Sequence, residues 1–134
     1  MCQAEDIYQK LVKVQPTIMR KDKATAEELA AVWEGTETAK HNAGYGIPAY
    51  LGFLETYLAT RKTEAAFTAS GVSVGESKLF ATLHILVSIR PAVLAPFPGL
   101  AAFYARFKGL EPTKGVLDGT LHMPGPFKQY FIDP

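Results

Sequence analysis

The sequence contains little of what secreted, membrane-spanning or nucleic-acid-binding proteins require. It has a single cysteine, Cys2, so no internal disulfide can form and a reducing compartment is the expected setting. No apolar run reaches the roughly 20 residues of a membrane-spanning helix. The net charge of +1 gives no basic footprint for nucleic acid or anionic lipid. We therefore expect a cytoplasmic protein whose partners include neither nucleic acid nor a membrane.

Motifs that carry chemistry are also scarce. The three histidines, His41, His84 and His122, are far apart and have no cysteine or acidic cluster beside them, so no zinc site is predicted. His84 lies inside an apolar segment and is predicted to be a hydrogen-bonded core residue. The chain has no nucleophile elbow, zinc-protease motif, phosphate loop or dinucleotide fingerprint. We predict no catalytic residue and no metal ligand in this chain.

What the sequence does have is the apolar periodicity of helices. Its 134 residues, 48% of them apolar, suffice for one domain with a buried core. Spacing of i, i+4, i+7 and i+11 marks the inward stripe of a helix, and it occurs twice. The first stripe is Ile7, Leu11, Val14 and Ile18, and the second is Ile47, Leu51, Leu54 and Leu58. The first helix should end near Val14–Gln15, because Pro16 follows.

Between these stripes a second helix is predicted, from about Ala26 towards Lys40. Thr25 and Glu28 have the spacing of a capping box, in which each side chain accepts from the other residue's backbone N–H. Glycines and a proline between Ala43 and Pro48 then interrupt the helical pattern. Two alternatives remain open: one long helix with a kink in this segment, or two helices in sequence.

The second half of the chain predicts three more helices and an irregular tail. Ser77–Ile89 is apolar on nearly all sides, which is typical of a helix at the centre of a bundle. Pro98 suits the first turn of the next helix, for which Gly109 is a plausible stop. A short helix is predicted over Thr113–Leu117, and residues 120–134 form an aromatic tail with three prolines. Since no useful period-2 alternation occurs, we predict an all-α bundle of five to six helices.

Three segments resemble the helical C-terminal domain of glutathione transferases. VGESKLFATL at Val74–Leu83 and FPGLAAFYARFKGLEP at Phe97–Pro112 are similar to that domain's buried helix and the helix after it. GIPAYLGFLETYL at residues 46–58 is similar to the segment that follows the kink of the family's long helix. The resemblance covers essentially the whole chain, is best for mu- and sigma-like forms, and implies that residues 1–134 are one such domain.

One departure concerns the start of the buried helix. In this alignment the family's capping Ser or Thr falls at Leu79 and its Asp falls at Thr82, so the capping box is broken. We expect either that Ser77 serves as the N-cap, so that the helix starts earlier than in relatives, or that tertiary packing alone holds it.

A larger departure is the missing thioredoxin-like domain, on which the family binds glutathione and carries its catalytic residue. We expect the chain to be a truncated product, a fragment, or a subunit completed by another chain. Its partner would be that domain or a second copy of the chain in a homodimer. Completed in this way it would be a transferase, and alone it would be inactive.

The resemblance implies a role in binding the second substrate, an apolar electrophile, in detoxification. Glutathione would be the co-substrate of the complete enzyme, and this chain would bind no cofactor itself. The residues that would contact the apolar substrate are Tyr8, Leu11 and Val12 on the first helix and Phe127, Tyr130 and Phe131 in the tail. The alternative for each of these residues, and the more common case for such side chains, is that it simply packs in the core or holds the tail. The alternative function is a non-catalytic module for protein–protein assembly.

Overall fold

The computed structural model describes residues 2–14, 25–35, 45–61, 66–69 and 72–119. Regular structure in these ranges consists of six α-helices and one isolated antiparallel bridge between Gly35 and Tyr45. The predicted all-α class is therefore confirmed, and none of the six helices is long and apolar enough to cross a membrane. The helices are α1 (Cys2–Val14), α2 (Ala26–Glu34), α3 (Ile47–Ala59), α4 (Val74–Ile89), α5 (Pro98–Lys108) and α6 (Glu111–Leu117).

The beginning of α2 is as predicted, and its end is not. The backbone N–H of Glu28 donates to the Thr25 hydroxyl (3.2 Å) and that of Thr25 donates to the Glu28 carboxylate (2.7 Å), so the capping box is complete. The helix stops at Glu34 rather than near Lys40, because Gly35 has a φ of 86°, which ends the right-handed helix and favours glycine. The described residues of segment 26–59 thus form two separate helices, and residues 36–44 lie outside the described part of the chain.

The junction of α2 and α3 depends on a close backbone approach at Gly46. A Cβ atom at this position would lie 2.3 Å from the carbonyl oxygen of Trp33, so another residue would force the backbone apart. Pro48 follows in the first turn of α3, where its missing N–H costs no hydrogen bond. The helix then buries the predicted stripe in full: Ile47, Leu51, Leu54 and Leu58.

The start of α4 corrects the expectation of a broken capping box. Ser73 is the N-cap, four residues before Ser77, and its hydroxyl accepts from the backbone N–H of Glu76 (3.2 Å). The Glu76 carboxylate accepts in return from the Ser73 N–H (3.0 Å). Leu79 and Thr82, which were aligned with the family's caps, lie buried within the helix. The capping box of α4 thus lies six residues before the positions that the resemblance implies for it.

The core is shared between helices rather than centred on α4. α3 packs against α1, α2 and α5, while α4 packs against α1 and α5. One side of α4 is buried, but its other side is exposed, so the prediction that it fills the middle of the bundle was only partly right. Its buried residues include Leu79, Phe80, Leu83 and Leu86, and its exposed ones include Ser77, Lys78, Ala81 and Ser88.

The last two helices begin with prolines and end close to the predicted stops. Pro98 is in the first turn of α5, and α5 ends before Gly109. α6 starts at Glu111, two residues before the prediction, because Pro112 also suits a first turn. Gly119 follows the helix, and its φ of 84° lies in the left-handed region, which favours glycine. The aromatic tail at 120–134 lies outside the described residues.

Candidate functional site

A groove with a volume of about 770 Å³ opens between the first turn of α1, the C-terminal half of α3, the segment 66–69 and the first turns of α4. This volume lies within the usual range for small-molecule sites, about 300–1,000 Å³. The described residues that line it are Ala4, Phe53, Leu54, Thr56, Tyr57, Thr60, Arg61, Phe67, Thr68, Ser73, Gly75, Glu76 and Leu79.

Three aromatic rings, Phe53, Tyr57 and Phe67, line this groove and are called here the aromatic wall. Phe53 and Tyr57 are one helical turn apart on α3 and are 44% and 47% exposed, which is high for large apolar side chains. Tyr57 stacks on Phe67 with ring centroids 6.0 Å apart and an interplanar angle of 20°. Phe67 in turn meets the buried ring of Phe103 edge-on at 5.2 Å, which anchors the wall to the core.

The buried carboxylate of Glu76 organises the base of the groove, and this residue is 2% exposed. It accepts from the backbone N–H groups of Phe67 (2.8 Å), Thr68 (3.3 Å) and Ser73 (3.0 Å), and from the Thr68 hydroxyl (2.9 Å). A guanidinium nitrogen of Arg106 lies 3.9 Å away. Because both carboxylate oxygens already accept hydrogen bonds, Glu76 holds segment 66–69 against α4 and has a structural role.

Arg61 supplies the positive charge at the exposed end of the groove. Its guanidinium carbon lies 4.4 Å from the centroid of the Tyr57 ring, within the range of a cation–π contact. The side chain is exposed, and no carboxylate of the described residues forms a salt bridge with it. The groove therefore combines an aromatic wall with a cation at its rim.

The residues predicted from the resemblance lie elsewhere. Tyr8 is half-buried on α1, and Leu11 is buried in the core. Neither lines the groove, to which α1 contributes Ala4. The side chain of Val12 and the residues Phe127, Tyr130 and Phe131 fall outside what the structure describes, so the predicted hydrophobic site remains a prediction.

The groove residues were missed although the sequence carried a signal for part of the aromatic wall. Phe53 and Tyr57 have i, i+4 spacing on α3 and fall outside the buried stripe that begins at Ile47. Two large aromatic residues on the outer face of a helix indicate a binding surface. Phe67 had no such signal, because its place depends on the hydrogen bond from its backbone N–H to Glu76, nine residues further along the chain.

The predicted hydrogen bonding of His84 is confirmed, but the residue is half-buried rather than in the core. Its Nδ1 atom and the Tyr104 hydroxyl share a hydrogen bond of 2.8 Å, and its ring stacks on Phe80. Burial raises the pKa of Tyr104 above its ordinary value. Among the described residues no group of three or more His, Cys, Asp or Glu side chains could hold a metal ion.

Comparison with known proteins gives one match to a family. The family model for the glutathione S-transferase C-terminal domain matches residues 24–115. This range contains α2 to α5 and most of α6, including both capping boxes and every groove residue except Ala4. No curated protein and no solved structure gave a significant match.

Proposed function

Because the chain belongs to the family of glutathione S-transferase C-terminal domains, we propose that it is the domain of a glutathione transferase that binds the hydrophobic substrate. In the complete enzyme, the thiolate of glutathione would attack an apolar electrophile held by this domain. A thioredoxin-like domain or partner chain would bind the glutathione and activate its thiol. A role in cytoplasmic detoxification, in a homodimer, belongs to the same proposal.

The observation that supports this proposal is the groove. Its volume suits a small molecule, and its aromatic wall offers apolar surface that is exposed on α3 rather than packed in the core. Burial of apolar ligand surface against such rings is favourable at about 25 cal/mol per Å² before the entropic costs of binding.

The residues around the groove fit a role in binding rather than in bond making. The described lining contains no cysteine and no histidine, and the Glu76 carboxylate already accepts four hydrogen bonds. We therefore expect the chain alone to bind apolar molecules and to leave the conjugation reaction to the glutathione-binding domain. An aryl-halide conjugation assay on the purified chain should show only the uncatalysed rate.

Binding to the groove can be tested with 2-naphthylacetamide, a neutral aromatic probe, by isothermal titration calorimetry. Thr56→Trp places a large side chain in the groove and should abolish binding. Ser88→Trp is the matched control: both residues are exposed on helices, and each hydroxyl donates to the carbonyl four residues earlier. Absence of binding to the parent chain, or equal binding to both variants, would overturn the proposed site.

A second function, protein–protein assembly without catalysis, is favoured by a cluster of rings beside the groove. Tyr45, Tyr50 and Phe53 make mutual edge-on contacts with centroids 5.6–6.4 Å apart, and Tyr45 is 37% exposed. Exposed aromatic residues are enriched at protein interfaces. Sedimentation of the parent chain and of Tyr45→Ser tests self-association through this face: a dimer that Tyr45→Ser dissociates supports assembly, and a monomer in both cases speaks against it.

A further inference from the structure

We propose that the groove selects aromatic ligands that carry a carboxylate, with the ring against the aromatic wall and the carboxylate on Arg61. This inference rests on the proposed function, since it names the chemical class of ligand that the same groove would take. It is carried by the combination of shape, apolar surface and charge in the described lining residues.

The charge balance within the groove favours an anion. Two of the described lining residues are charged, Arg61 and Glu76. Glu76 is 2% exposed, and both oxygens of its carboxylate accept hydrogen bonds from the protein. A ligand in the groove would therefore make little direct contact with this negative charge. Arg61 is exposed and thus presents the charge that a ligand would meet.

The position of Arg61 suits recognition of a carboxylate next to a ring. Its guanidinium lies 4.4 Å from the Tyr57 ring centroid, so the same tyrosine that contributes to the wall also places the cation. A guanidinium is planar and has five N–H donors around its edge, which match the two oxygens of a carboxylate. A ligand with its ring near Phe53 or Phe67 and a short acidic arm could therefore contact both features.

Two acidic side chains on α3 and α1 are already engaged by other groups. Glu55 on α3 accepts from the backbone N–H groups of Gly99 and Leu100, and Glu5 on α1 pairs with Lys78 and accepts from Gln9. Neither is among the residues that line the groove. Repulsion of an anionic ligand by these two carboxylates is weaker as a result.

The test compares two probes of nearly the same shape, 2-naphthylacetate and 2-naphthylacetamide, by isothermal titration calorimetry on the full chain. An exposed ion pair is worth little, so the carboxylate should bind about three- to fivefold more tightly than the amide at low salt. The preference should shrink at 0.5 M salt, because the interaction is screened.

Arg61→Gln should remove this preference, so that the Kd values of the two probes agree within about twofold, and measurable binding of both probes shows that the groove is intact. Arg90→Gln is the matched control: Arg90 is likewise an exposed arginine over an aromatic ring, that of Trp33, and does not line the groove. This variant should keep the preference for the carboxylate.

The outcomes separate the two proposals. Equal binding of both probes to the parent chain, or a preference that survives Arg61→Gln, overturns the carboxylate inference and leaves apolar binding in place. If neither probe binds to the parent chain, the carboxylate inference and the proposed apolar binding site are both overturned.

Discussion

The carboxylate of Glu55 on α3 accepts a hydrogen bond from the backbone N–H of Gly99 on α5, at a distance of 2.7 Å. Its second oxygen accepts from the N–H of Leu100 at 2.8 Å. Phe97, the N-cap residue of α5, makes no side-chain cap, so Glu55 satisfies the first turn of α5 from a neighbouring helix. The two sequence segments that contain Glu55 and Phe97–Leu100 are thus joined by one carboxylate.

Replacement of Glu55 by glutamine should therefore destabilise the fold. The amide retains one acceptor oxygen, but the charge that favours a helix N-terminus is lost. We expect the free energy of unfolding in urea to fall by about 1–3 kcal/mol. Glu34→Gln, at an exposed position of α2, is the control and should change it by less than about 0.5 kcal/mol. A loss in Glu55→Gln no larger than in the control would contradict the capping role.

Gly99 leaves room for that carboxylate. A Cβ atom at residue 99 would lie 2.9 Å and 3.1 Å from the two oxygens of Glu55. Gly99→Ala should cost about 1–2 kcal/mol, because the lost hydrogen bonds outweigh the gain in helix propensity. In a Glu55→Ala background the clash is absent and the same substitution should stabilise by about 0.5 kcal/mol. The change in unfolding free energy caused by Gly99→Ala, measured in urea, should thus reverse its sign between the two backgrounds, which is the specific result expected from this contact.

Gly75 is the matched glycine for this experiment. It also lies in the first turn of a helix, and a Cβ there would meet only the Ser73 hydroxyl oxygen at 3.8 Å. Gly75→Ala should be neutral or stabilising by up to about 1 kcal/mol. If it costs as much as Gly99→Ala, helix position rather than Glu55 explains both effects.

The sequence predicted the features that depend on local spacing. The stripe from Ile47 to Leu58 and the box at Thr25–Glu28 are set by neighbours within one or two helical turns, and both are confirmed. The box at Ser73–Glu76 has the same local signal and could also have been predicted, had the family alignment not placed the caps at Leu79 and Thr82.

Other features could not be predicted from local patterns, because they depend on how distant segments pack. Glu55 and Gly99 are 44 residues apart. The groove likewise combines Ala4, the outer face of α3, Phe67 and the first turns of α4. Apolar periodicity assigns each residue to a face of its own helix, but the faces of different helices that pack together are set by tertiary contacts.

The two capping boxes differ in burial, and this difference predicts unequal costs. Glu76 is 2% exposed and accepts from segment 66–69 as well as from its N-cap, whereas the contacts of the Thr25–Glu28 box are exposed. Glu76→Gln should cost about 2 kcal/mol or more, and Glu28→Gln about 1 kcal/mol or less. Equal losses of stability in thermal melts of the two variants would show that burial of the Glu76 carboxylate adds nothing to the stabilisation by its capping box.

Leu83 and Leu86 test the core face of α4. Both are 0% exposed, so truncation to alanine removes buried apolar surface and leaves a cavity. Leu83→Ala and Leu86→Ala should each cost about 2–5 kcal/mol. Ile89→Ala, at a residue that is 36% exposed on the same helix, should cost clearly less. Losses below about 0.5 kcal/mol for both leucines in thermal melts would mean that the core is elsewhere.

Tyr104 should make stability depend on pH at the alkaline end. Burial raises its pKa in the folded protein. The stabilisation from the neutral phenol is therefore fully present below the unfolded pKa of about 10 and is lost as pH rises through the folded value. Urea unfolding between pH 8 and pH 11 should show a steeper alkaline fall for the parent than for Tyr104→Phe, which has no phenol to ionise. Identical slopes for the parent and Tyr104→Phe would contradict the effect of burial on this hydroxyl.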